Sequence, residues 1–211
     1  MDRGPLVWLF LVAACGGGVA ACGGGGDGGP DAPPAADASP GYPPGPYGTG
    51  VGDVIQDLQW TGLVDGDDAG LLVADDATRL FRLGEIHADP EARILVLIAA
   101  AEWCEPCGLE AAELPQVATE FAPRGARIVE AMTQTMTTDP ADEPTVRAWA
   151  TTYSLTTPVM IDPTRQVERY WDALNGYPMT AVIDARTMEI LQIVTAYTTA
   201  QTRQLLQFYL P

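Results

Sequence analysis

The chain contains no lysine and a single histidine, His87, among 211 residues. All 11 basic residues are arginines, set against 28 aspartates and glutamates, and the net charge is −17. Each absence removes a chemistry. Without lysine there is no Schiff-base amine, no phosphate-loop lysine and no kinase lysine. One histidine cannot build a multi-histidine metal site, and nothing around His87 suggests a nucleophile elbow. The acidic excess leaves no basic face for nucleic acid or for an anionic lipid surface. What remains is thiol chemistry, carboxylate chemistry or binding.

The N-terminal apolar run, residues 6–14, is too short to span a bilayer and follows Arg3 in the manner of a signal peptide. Val-Ala-Ala-Cys closes it at residues 12–15 and recurs at 19–22. Both tetrads resemble the bacterial lipobox, whose cysteine is lipidated. Signal length favours Cys22 as the anchor over Cys15. Residues 16–50 hold 13 glycines and 7 prolines, a composition that cannot bury enough apolar surface to offset its ordering entropy. The expected organisation is a lipoprotein signal peptide over 1–21, a flexible tether of about 30 Å over 22–50, and one folded domain over 51–211. Such a protein sits at the extracytoplasmic, periplasmic face of a bacterial membrane.

Within the domain, strands and helices alternate. Residues 54–60, 79–83, 94–98, 126–132, 159–161, 179–183 and 189–195 read as strands. Residues 105–121, 145–153 and 199–209 read as helices. Residues 94–98 form a continuous apolar run, as a strand buried on both faces requires. The pattern implies an α/β domain with parallel pairing in its sheet.

Cys104-Glu105-Pro106-Cys107 lies between that strand and the first long helix. The spacing lets two sulfurs close a small ring, and the helix N-terminus favours a thiolate on the first cysteine. Pro106 suits the first helical turn. A structural disulfide is the plain alternative, although so short a loop stabilises little. A zinc site would need two further ligands, and none is suitably placed.

Residues 101–107, Ala-Glu-Trp-Cys-Glu-Pro-Cys, together with Gly176-Tyr177-Pro178-Met179-Thr180, resemble the two signatures of the thioredoxin superfamily. The Glu-Pro dipeptide, Glu110 three residues after Cys107, and the segment over 51–83 make the chain resemble TlpA/ResA-like redoxins. That resemblance implies a thioredoxin-like fold: a central mixed sheet flanked by helices, with an N-terminal strand extension. It implies that Cys104 attacks, Cys107 resolves, Glu110 moves the proton, Pro178 is a cis-proline, and Trp103 and Tyr177 meet the substrate. It also implies partners: exported thiol and disulfide proteins such as apocytochrome c, and a membrane thiol–disulfide electron donor. A monomer without cofactor or resident metal is expected.

The sequence departs from the thioredoxin pattern in two places. Ile98 stands where thioredoxins keep a buried aspartate, six residues before the first cysteine. Ala112 stands where their helix-kinking proline lies, with Pro115 three residues later. Glu113, one turn on, is therefore a substitute for Glu110.

Glu102, Glu105, Glu110 and Glu113 surround the cysteines in sequence, and no arginine lies between Arg93 and Arg124. Negative charge opposes thiolate formation at Cys104 and favours the disulfide form, so the dithiol should act as a reductant. The function expected is reduction of protein disulfides. The alternatives are a thiol peroxidase, for which Ala101 replaces the usual threonine, and a copper-binding module on Cys104 and Cys107. His87 reads as a loop residue. Residues 65–76 resemble a calcium loop only weakly, with Ala69 and Asp76 at ligand positions. Trp60, Trp149 and Trp171 read as packing residues.

Overall fold

The computed structural model describes residues 38–65, 70–72, 76–170, 176–195 and 200–211. Cys15, Cys22, Trp171 and most of the acidic loop after Asp65 lie outside these residues.

The sheet is organised by β3, Ile94–Ala101, in which every residue is buried. Successive side chains point to opposite faces. Leu95, Leu97 and Ala99 enter a core shared with Trp60, Phe81 and Tyr170. Val96, Ile98 and Ala100 enter a second core with both cysteines, Phe121 and Trp149. A strand apolar on both faces belongs at the centre of a sheet. It is flanked by β4 (Ala126–Gln134), parallel, and β6 (Met179–Asp184), antiparallel. Beyond β4 comes β5 (Val159–Ile161), parallel, and beyond β6 comes β7 (Ile190–Thr195), antiparallel. β1 (Gln59–Leu63) and β2 (Thr78–Arg82) extend the β5 edge as an antiparallel pair. The seven strands run β2-β1-β5-β4-β3-β6-β7. The sheet is mixed, with the N-terminal strand extension the sequence led us to expect.

β1 lies further along the chain than residues 54–60. Val54 forms only isolated bridges, to Tyr47 and Glu189. Asp57 bends the segment away from strand pairing, because its carboxylate accepts the backbone N–H groups of Ser39 (2.7 Å) and Gly84 (2.7 Å).

Residues 38–50, tether-like in composition, pack against the domain. Tyr42 is buried and its hydroxyl donates to the Ile55 carbonyl at 2.9 Å. A tyrosine brings apolar area and a polar handle that a glycine and proline count does not register.

Four α-helices stand among the described residues. α1 (Leu83–Ala88) was not anticipated, being too short to show helical periodicity. His87 therefore sits in a helix rather than a loop, its ring nitrogens facing the carbonyls of Ala185 (3.1 Å) and Gly41 (3.0 Å). α2 spans Glu105–Phe121 as expected and passes through Pro115 without breaking. A 3-10 turn follows, and Gly125, at φ 98°, ends it. The Gly125 carbonyl accepts from Arg93 and Ile94 (2.8 and 3.2 Å), tying the far end of α2 to the start of β3. α3 (Glu143–Tyr153) opens on Asp142, whose carboxylate caps Thr145 N at 3.0 Å. α4 (Gln201–Tyr209) packs back against α2. Trp60 and Trp149 are core residues. Among the described residues, no helix is long and apolar enough to cross a membrane.

Candidate active site

The site forms where β3 hands over to α2. Cys104 is the N-cap of α2, and the backbone N–H of Cys107 donates to its Sγ at 3.2 Å. That donor, together with the position at the helix N-terminus, favours negative charge on this sulfur once the pair is reduced. The two cysteines are joined in a disulfide with a Cα–Cα distance of 5.2 Å. Cys104 is 4% exposed and Cys107 is 0% exposed, so Cys104 is the less enclosed of the two.

Around this pair, long-range pairing assembles a rim. β3 and β6 are in register from Ile94 with Asp184 to Ala99 with Met179. Pro178 therefore lies at the same end of the sheet as the Cys104 loop. It is buried, and the Tyr177–Pro178 peptide bond is cis. The Tyr177 ring meets the Trp103 ring edge-on at 5.7 Å. Trp103 is 42% exposed and its indole N–H donates to Gln134 Oε1 at 3.2 Å. Tyr177 is half-buried, and its hydroxyl is hydrogen-bonded to Glu168 and lies 2.7 Å from Thr133 Oγ1. Burial and the neighbouring Glu168 carboxylate push its pKa well above the usual phenol range. Glu168, Thr133 and Gln134 were not singled out in the sequence, because only strand pairing and chain folding bring them to Tyr177 and Trp103.

The four glutamates near the motif have separate fates. Glu102 accepts the backbone N–H of Met136 at 2.7 Å. Glu105 is exposed. Glu113 is half-buried and accepts from Ala200 N at 3.2 Å. Glu110 alone is buried: one oxygen accepts from the Thr202 hydroxyl at 2.6 Å, and the other has no hydrogen-bond partner. Burial pushes its pKa up to about 7, against the Thr202 hydrogen bond.

Glu130, missed in the sequence reading, lies on the same core. It sits in the middle of β4, 0% exposed, and neither carboxyl oxygen has a hydrogen-bond partner. The Trp149 indole lies close enough to favour its charged form, yet its N–H does not complete a hydrogen bond of normal geometry. Burial dominates and raises the Glu130 pKa to about 8, with Glu110 adding to the rise. A glutamate in the middle of an otherwise apolar strand was the signal available in the sequence.

These two carboxyls set an expected pH dependence of stability. Folded, they bind protons more tightly than an ordinary glutamate at 4.5. Their contribution is complete below that value and is lost as pH rises through about 7 and about 8. Asp89 and Asp142 have lowered pKa values, so their contributions fade only on the acid side of 3.8. The denaturation midpoint of the oxidised protein should thus be higher at about pH 6 than at about pH 9. Chemical denaturation followed by tryptophan fluorescence measures it, and a flat profile across that interval contradicts the assignment.

The sequence profile of the AhpC/TSA family matches residues 67–190. No curated protein matches the chain. Solved structures do. A thiol:disulfide interchange protein of the thioredoxin family from Chlorobium tepidum is 19% identical at a TM-score of 0.51, covering 74% of this chain and 98% of that one. A DsbF homologue from Corynebacterium diphtheriae is 18% identical at 0.55, covering 74% and 85%. AhpC of Mycobacterium tuberculosis is 17% identical at 0.52, covering 78% and 92%. The mixed seven-stranded sheet with flanking helices is thus a thioredoxin-like fold.

Proposed function

Because the chain belongs to the AhpC/TSA family, we propose that it is an extracytoplasmic thiol–disulfide oxidoreductase that reduces protein disulfides through Cys104 and Cys107. The observation that supports this most directly is the asymmetry of the pair. The sulfur at the helix N-terminus is the less buried one, and the other is enclosed beside a buried carboxyl.

In the reduced protein, the Cys104 thiolate attacks one sulfur of a partner disulfide. A bond forms between Cys104 Sγ and that sulfur, and the partner's other sulfur leaves and takes a proton from solvent. Cys107 then gives its proton to Glu110, and its thiolate attacks Cys104 Sγ. The Cys104–Cys107 disulfide forms, the partner's second sulfur leaves with the electron pair and takes a proton from solvent, and Glu110 keeps the Cys107 proton until the pair is reduced again. Two electrons pass from the dithiol to the partner. An external dithiol protein restores the starting state. Trp103 and Tyr177 form the rim against which the partner chain lies. Residues 1–21 direct export, Cys22 (or Cys15) carries the lipid anchor, and exported thiol proteins are the substrates.

The family match and the shared fold with AhpC favour a second reading, thiol peroxidase activity. Turnover separates the two. With dithiothreitol as reductant, the protein should accelerate insulin disulfide reduction, measured by turbidity, and leave hydrogen peroxide consumption near background. Peroxide turnover that outpaces insulin reduction would replace the first reading with the second.

A further inference from the structure

Among the described residues, Glu130 is a carboxyl whose place in the core is not explained by packing. Its carboxyl is fully enclosed, and neither oxygen is hydrogen-bonded. A buried acceptor without a partner is destabilising, and a buried unpaired charge more so. No packing argument requires a glutamate here, because its cross-strand neighbours are Ile98 on β3 and Val159 on β5. Ile98, Glu130 and Cys107 belong to the same face of the sheet, the face covered by α2 and α3. Three residues beyond Cys107 on α2 is Glu110, whose second oxygen is likewise without a partner. Two buried carboxyls on two different elements thus share the face of the sheet that holds Cys107.

We propose that Glu110 and Glu130 form a buried carboxyl pair that stores a proton behind the disulfide and delivers it to Cys107 when the disulfide opens. Glu110 is the member nearer Cys107 in the chain. Glu130 is a positioning residue that acts through Glu110, controlling by its own protonation how tightly Glu110 holds its proton. The proposal rests on the exchange reading above.

The need for such a store follows from burial. When an attacking thiolate bonds to Cys104 Sγ, the S–S bond breaks and Cys107 Sγ leaves with the electron pair. That sulfur is 0% exposed, so solvent cannot stabilise the thiolate or protonate it directly. A proton moving from the carboxyl pair leaves one negative charge shared over two carboxyls in place of a buried thiolate. The return step moves the same proton back. Two acids that interact this way titrate as a pair, in two macroscopic steps.

Among the described residues, the other groups facing the pair are few. From α2, Glu113 adds negative charge near Glu110. From α3, Trp149 faces Glu130, while Glu143 and Arg147 pair with each other. From α4, Thr202 donates to Glu110, and Arg203 pairs with Glu120. β3 and β5 bring only Ile98 and Val159.

The test is the rate of opening of the Cys104–Cys107 disulfide by dithiothreitol in the full chain, from about pH 6 to about pH 9, divided by the thiolate fraction of the reagent. The wild-type rate should fall about tenfold or more with rising pH, in two steps. Glu130→Gln should keep one step and lose the upper one, and Glu110→Gln should flatten the profile. A Glu130→Gln profile superimposable on wild type overturns the proposal. Should that variant not fold, the oxidised wild-type protein labelled with ¹³C at its glutamate carboxyls decides. Two resonances titrating together above the ordinary glutamate range, and shifting on reduction, support the pair. Uniform titration near 4.5 overturns it. A disulfide that dithiothreitol cannot open removes the exchange reading and this proposal together. A disulfide that opens with a flat wild-type profile removes this proposal alone.

Discussion

Replacing Cys104 with serine should lower disulfide exchange by about 10³-fold or more, because a hydroxyl at the helix N-terminus stays protonated where the thiol ionises. The N–H of Cys107 that points at Cys104 Sγ would still be present but would have no anion to stabilise. Replacing Cys107 with alanine should have the opposite signature. Cys104 is the less buried cysteine and the attacking one in the proposed exchange, so attack should proceed, but no second thiol releases the mixed disulfide. Covalent complexes should accumulate on Cys104, visible on non-reducing gels and absent from a variant lacking both cysteines. If Cys104→Ser reduces insulin at the wild-type rate, or if Cys107→Ala traps no partner in cells, the exchange mechanism is wrong. The two variants test different steps, so the failure of one does not hide the other.

The second large effect is on stability. Phe121 is the last residue of α2 and is fully buried in the core that also holds both cysteines. Its ring fills the space under the far end of the helix, with the Arg124 guanidinium 4.6 Å from its centroid. Phe121→Ala should cost about 3–5 kcal/mol, the range for deleting a buried aromatic, and lower the melting temperature by roughly 6–20 °C. The loss combines the transfer term with a cavity that a close-packed helix–sheet layer can only partly close. Differential scanning calorimetry of the oxidised protein reads it directly. A shift of less than about 2 °C would mean that the end of α2 is not anchored as described. The same helix carries Cys107 and Glu110, so a loosened far end should also broaden the pH profile of disulfide opening.

Much of the fold was legible because its signals are local. The apolar run at β3, the span of α2 and the short strand β5 follow from residues adjacent in the chain. Pro106 in the first turn marks a helix start that a reader can find without a structure, whereas α3 begins at Glu143, two residues before the expected 145. Where the reading slipped, a nonlocal partner had intervened. Residues 54–58 have strand-like composition, but Asp57 is recruited by Ser39 and Gly84. α1 is six residues long, below the length at which periodicity separates helix from strand. Residues 38–50 look like linker until Tyr42 is seen to bury its ring and hydrogen-bond Ile55.

The glutamates around the cysteines differ most between sequence and structure. In sequence, four glutamates near the cysteines count as four negative charges that disfavour a thiolate. In the structure, Glu102 is bound to a backbone N–H, Glu105 faces solvent, and Glu110 is buried with a pKa of about 7. Four glutamates in sequence are therefore not four equivalent charges, and Glu130, 26 residues from Cys104 in sequence, is a further buried carboxyl on the same face.

The sequence by itself determined which chemistry is available. It holds two thiols at a spacing that closes a ring at the start of a helix, and it lacks the lysines and histidines for most other catalysis. These are properties of residue type and of a few consecutive positions, and they hold whatever the rest of the chain does. Only the tertiary structure decided which carboxyls are buried on the face that holds those thiols. The pairing of β3 with β4 puts Glu130 beside Ile98, and α2 covers that face with Glu110 buried. Lateral register is fixed by which apolar faces must be buried together. Charges far apart in the chain meet only after that burial has chosen the register.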